Sequence, residues 1–114
     1  MVQRVQMVRG TTQSFEITIT DAEYAPFKLA AGEKILFGVK RKPDDAEYIF
    51  LKKIYNGSRE GVFNVTVYPE DTADIAPGRY YYDVGAQIGA DYYNVIKPSP
   101  FDVLSNITKW GDAD

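Results

Sequence analysis

The stretch "PEDTADIAPGRYYYDV", residues 69–84, decides how this chain is read. Pro69 opens it, acids follow at 70 and 71, and Pro77-Gly78 closes its first half. Pro at the start of a helical turn, acids in that turn and a Pro-Gly stop predict one short helical turn near residues 70–75. The second half alternates, with Tyr80, Tyr82 and Val84 on one face and Tyr81 and Asp83 on the other, as in a half-buried strand. A helical turn that feeds an aromatic strand is a crossover between sheets, not a hairpin. In Greek-key sandwiches such a strand carries a tyrosine whose hydroxyl bonds back to the crossover backbone. Either Tyr80 or Tyr82 fits that role, with Ile75 as the apolar plug under the turn.

The same period of two runs outward from this centre. Residues 13–20 place Phe15, Ile17 and Ile19 on one face. Residues 34–41 do so with Ile35, Phe37 and Val39, and residues 61–68 with Phe63, Val65 and Val67. Residues 91–96 continue it with Tyr93 and Val95. Residues 2–8 supply an opening strand through Val2, Val5 and Met7, and 46–55 reads as a further strand, although periodicity leaves a helix open there. Connections are expected at 25–34, 42–47 and 85–91, with a hairpin signal at Asn56-Gly57. Pro98 and Pro100 mark a bulge or an edge, after which Phe101 and Val103 resume the strand. Strands about ten residues apart point to an all-β sandwich of seven to eight strands. Residues 1–105 form that domain and residues 106–114 a tail or linker.

Composition narrows the function. The 114 residues carry a net charge of −3 with no basic stripe of the kind nucleic acid requires. There is no cysteine and no histidine, which removes the thiol nucleophile, the commonest general acid/base and the commonest zinc ligands. No apolar run reaches the length of a membrane helix, and "MVQRVQMVRG" carries no signal-peptide core, so the expected site of synthesis is a cytoplasm. Asp44, Asp45 and Glu47, and again Glu70, Asp71 and Asp74, are acid clusters, but neither has the spacing of a calcium loop. They read as a solvated turn and a charged helix start. No nucleophile elbow or paired inward carboxylate is present, so no catalytic, metal or cofactor site is assigned. Tyr24, Tyr81, Tyr92 and Trp110 are the aromatics available for contact. Tyr92 reads as a cross-strand filler, and Tyr81 and Trp110 are the candidate interface residues.

The segments "RGTTQSFEITITD" (9–21), "PFKLAAGEKILFGVK" (26–40), "GVFNVTVYPEDTADIAPGRYYYDV" (61–84) and "YNVIKPSPFDV" (93–103) occur in that order. Together they resemble the N-terminal immunoglobulin-like domain of phage baseplate upper proteins and related prophage structural proteins. The resemblance spans about Val8 to Thr108 and is strongest at 69–84. It implies an immunoglobulin-like Greek-key sandwich in a virion, made in the bacterial host cytoplasm. It also implies a module of a tail or baseplate that contacts other tail proteins and its own copies, without nucleic acid, membrane or cofactor. The part that such proteins use to present a receptor-binding domain has no counterpart in these residues. The expectation is a stand-alone structural protein or one piece of a longer product. The alternative, from a different class, is a small carbohydrate-binding or adhesion module, which would show exposed coplanar aromatics beside polar groups.

Overall fold

Alternating apolar residues can be buried only if strands pair into sheets and the sheets share a core. The computed structural model describes residues 4–19, 33–55 and 62–107, and among them the chain is all-β apart from one helical turn. The strands are β1 (Val5–Val8), β2 (Gln13–Thr18), β3 (Lys34–Lys40), β4 (Phe50–Ile54), β5 (Val62–Val67), β6 (Gly78–Ile88) and β7 (Asp91–Leu104). The turn α1 (Pro69–Thr72) precedes β6. One sheet has the order β1-β7-β6-β3-β4, and β2 pairs with β5 in the other. All pairings are antiparallel except that of β1 with β7, which is parallel.

The core sits between the two layers. Ile17, Ile19, Phe63, Val65 and Val67 come from one side and Ile35, Phe37, Val39, Tyr80, Tyr82, Val84, Phe101 and Val103 from the other. Of the inward residues expected from the alternation of 13–20, 34–41, 61–68 and 79–84, all are buried except Phe15, which is partly buried and packs on the same cluster, as do Val5 and Val95. Rings join the layers. Phe15 stacks on Phe37 at 6.2 Å between centroids and meets Phe101 edge-on at 6.3 Å. Phe37 in turn stacks on Tyr82 at 5.3 Å. Such pairs contribute roughly 0.5–1.5 kcal/mol each beyond their area burial.

The crossover at 69–78 is tied down at several points. Asp71 Oδ2 accepts from the Tyr68 backbone N–H at 2.7 Å, which caps α1. Thr72, fully buried, accepts at Oγ1 from the N–H of Gly10 at 2.8 Å. Arg9 donates to the Ile75 carbonyl at 3.2 Å. Tyr80, not Tyr82, closes the corner: its hydroxyl donates to the Ala76 carbonyl at 2.7 Å while its ring lies in the core. Ile75 packs against that core, as its place in the sequence suggests.

Three expectations are corrected. Residues 85–91 are not a loop: β6 runs on to Ile88 and turns only at Gly89-Ala90, where Gly89 adopts φ +59°. Glycine is suited to that conformation. Tyr93, expected inward, is 56% exposed although its partner Ala86 is buried. The long β6–β7 hairpin carries it to the margin of the shared core. The segment 46–55 is extended only from Phe50, and the residues before it form turns and bends.

The proline reading survives in both its forms. Registers of β6 and β7 shift between Tyr82 and Val84 and again between Val84 and Gly85, which places the extra residues on β7 near Lys97-Pro98 and at Val95. β1 pairs only with residues 101–104, so Pro98 and Pro100 lie where no described strand covers the outer side of β7. At the covered end, Asp102 accepts from Arg4 Nε at 2.6 Å and from Arg79 Nε at 2.8 Å, linking β6, β7 and the approach to β1. Val2, residues 25–32 of the expected connection at 25–34, Asn56-Gly57 and Trp110 lie outside the described residues.

Candidate functional site

Because Phe37, Val39, Tyr80, Tyr82 and Val84 face the core, the intervening residues must form the outer face of the five-stranded sheet. On β3 these are Leu36, Gly38 and Lys40, and on β6 they are Tyr81, Asp83 and Gly85. Register places Lys40 opposite Tyr81, Gly38 opposite Asp83 and Leu36 opposite Gly85, while Gly85 also pairs with Asn94 on β7. Two glycines therefore flank a carboxylate on an otherwise side-chain-covered surface.

Each glycine is covered by a tyrosine ring. The Ile49 N–H donates to the Val39 carbonyl at 2.7 Å, which folds the segment before β4 back across β3. Tyr48 then lies over Gly38, where a Cβ would stand 2.7 Å from its Cε1. Tyr92 reaches from β7 over Gly85, where a Cβ would overlap its hydroxyl oxygen. Both rings remain about half exposed. Lys40 Nζ sits 4.7 Å from the centroid of the Tyr48 ring, a cation–π contact.

Asp83 lies at the centre. Its Oδ2 accepts from Asn94 Nδ2 at 3.3 Å. Burial raises its carboxyl above the ordinary value, opposed by the Asn94 hydrogen bond and the charge of Lys40. The Tyr92 phenol is raised as well, first by burial and then by the neighbouring Asp83 and Tyr48. Lys40, Tyr48, Tyr81, Asp83, Tyr92 and Pro98 line a cleft of about 100 Å³. Its aromatic faces, carboxylate and ammonium suit non-covalent recognition of a small polar group.

Of the two candidate interface residues, Tyr81 is partly buried on the wall of this cleft, and Trp110 lies outside the described residues, as does Tyr24. Tyr92, expected as a cross-strand filler, does pack across strands over Gly85 and forms a wall of the cleft as well. Tyr48, Asp83 and the two glycines escaped the sequence reading. Their signal was present as Gly38 and Gly85 at outward positions of strands, where glycine lowers strand stability unless something approaches closely.

A second surface is aliphatic. Val8 and Leu104 are register partners on the outer face of the β1–β7 pair, 37% and 43% exposed, and Ile107 beyond them is fully exposed. The acid clusters are otherwise occupied or open to solvent. Asp71 caps α1 and pairs with Lys52 at 2.7 Å, while Asp44 and Glu47 are exposed. Among the described residues no three acidic side chains converge as a metal centre would require. Comparison with family models, with curated proteins and with solved structures finds no match to this chain.

Proposed function

We propose that the chain is an immunoglobulin-like Greek-key module of a phage or prophage tail or baseplate. It is non-enzymatic and assembles with copies of itself and with other tail proteins through its surface. Strand order supports the fold reading. β2 and β5 correspond to strands B and E of such domains, β3, β6 and β7 to C, F and G, and β4 extends the second sheet at the C edge. The Tyr80–Ala76 hydrogen bond at the start of β6 is the corner contact expected there. The resemblance of residues 69–84 to baseplate domains supports the setting.

The observation that carries the assembly reading is the exposed aliphatic pair of Val8 and Leu104 on the outer face, with Ile107 exposed further along the chain, which no described element covers. Contiguous apolar surface on a soluble domain marks contact sites. Sedimentation velocity over a wide concentration range tests it. Reversible association is expected, and Leu104→Lys is expected to abolish it. A monomer at every concentration contradicts self-assembly through this patch.

A second reading, a small carbohydrate-binding module, is favoured by the half-exposed Tyr48 and Tyr92 beside Asp83. The two readings use different surfaces and are tested separately.

A further inference from the structure

We infer that the cleft between Tyr48 and Tyr92 is a binding site for a single neutral sugar ring, with Asp83 as its hydroxyl acceptor. This rests on the second reading above and not on the assembly contact.

The floor of the cleft region is bare backbone at two positions. Gly38 and Gly85 stand on adjacent strands at outward positions, and a side chain at either would displace a tyrosine. The bare backbone lets both rings settle against the sheet on either side of Asp83. A pyranose presents apolar C–H groups on its faces and hydroxyls around its rim. The C–H face matches the negative face of an aromatic ring, and the rim matches hydrogen-bonding groups beside it.

The cleft carries charges of both signs, Asp83 and Lys40. A site for a cation would leave Asp83 without a nearby ammonium, and a site for an anion would leave Lys40 without a nearby carboxylate. Here both are present, and each acts on the other electrostatically. The Asn94 amide, outside the cleft lining, donates one hydrogen bond to Asp83 and leaves its carboxylate further lone pairs for a ligand. A ligand that both donates and accepts without net charge is the one that fits this set.

The cleft is also small. About 100 Å³ corresponds to roughly three waters at their liquid volume, room for one face of a single small ring and not for an extended peptide.

The test is a titration of the ¹⁵N-labelled full chain with glucose, galactose, N-acetylglucosamine and rhamnose at millimolar concentrations, read by amide chemical shift. Saturable shifts are expected at Gly38, Asp83, Gly85 and Asn94 for at least one of these sugars. Asp83→Asn, which keeps shape and removes the charged acceptor, is expected to raise Kd about tenfold. Tyr92→Ala is expected to abolish saturation. Leu104→Lys, on the separate aliphatic patch, is expected to bind as the wild type does, so failure of the assembly reading leaves this result intact. Absence of localised shifts with all four sugars overturns the inference. So does binding that is unchanged in both Asp83→Asn and Tyr92→Ala, or shifts at these amides produced by arginine or sulfate and by none of the sugars.

Discussion

Tyr80 donates its hydroxyl to the carbonyl of Ala76, four residues earlier, at 2.7 Å, and so fixes the angle at which the crossover enters β6. Without the hydroxyl, that carbonyl loses its partner at a partly buried position while the ring still fills the core. Tyr80→Phe is therefore expected to lower stability by about 1–2 kcal/mol in denaturant unfolding, with the m value unchanged. Tyr81→Phe, on the outer face, should stay within about 0.5 kcal/mol of wild type.

Phe37 is the hub of the aromatic core, stacked on Phe15, Phe50 and Tyr82 and edge-on to Phe101. Phe37→Ala removes contacts from both layers at once and is expected to cost about 3–5 kcal/mol. Against a total of about 5–15 kcal/mol for a domain, this leaves a marginal fold. Thermal unfolding followed by circular dichroism checks it, and Phe37→Leu should lie between the two.

The paired layers, the inward set and the helical turn were legible because each rests on local rules: a period of two, a Pro-initiated turn and the polarity of strand faces. The parallel pairing of β1 with β7 was not, because nothing in residues 5–8 specifies a partner a hundred positions away. Tyr93 was misplaced because two bulges and a hairpin longer than the core separate the alternation of β7 from actual burial. The loop expected at 85–91, because Gly85 resembles punctuation, shrinks to Gly89-Ala90, while the missing side chain of Gly85 instead makes room for Tyr92. The cleft was hidden for the same reason. Its residues come from three strands and a bend, and only register brings Gly38 to Asp83.

Gly85→Ala tests that explanation. The obstructing atom is the far end of a half-exposed side chain, so Tyr92 can swing away at little cost. Stability is expected to change by no more than about 0.5 kcal/mol. The Tyr92 phenol, freed from burial and from Asp83, should titrate nearer its ordinary value than in the wild type. An NMR titration of the tyrosine ring carbons reads this shift. An unchanged Tyr92 titration contradicts the packing.

Two aspartates give opposite pH dependences. Asp102 is lowered chiefly by its hydrogen bond from Arg79, with Arg4 adding to it. It therefore contributes stability above the unfolded value, about 3.9, that is lost as pH falls through its folded value. Asp83 is raised chiefly by burial. The folded state favours its protonated form, so its contribution is present at low pH and lost as pH rises through its folded value. Asp102→Asn is expected to destabilise the protein at neutral pH and to flatten the acid limb of the stability curve. Asp83→Asn is expected to stabilise it slightly at neutral pH. Chemical unfolding at several pH values between 3 and 8 separates the two, because their slopes differ in sign.

Hydrogen exchange at low and high protein concentration, read by mass spectrometry, tests most directly whether this chain works by surface assembly. The account expects added protection on concentration at residues 5–9 and 102–107, around Val8, Leu104 and Ile107, with the cleft residues Asp83 and Tyr92 unaffected. Protection that stays the same at both concentrations, or that changes only on β2 and β5, contradicts it.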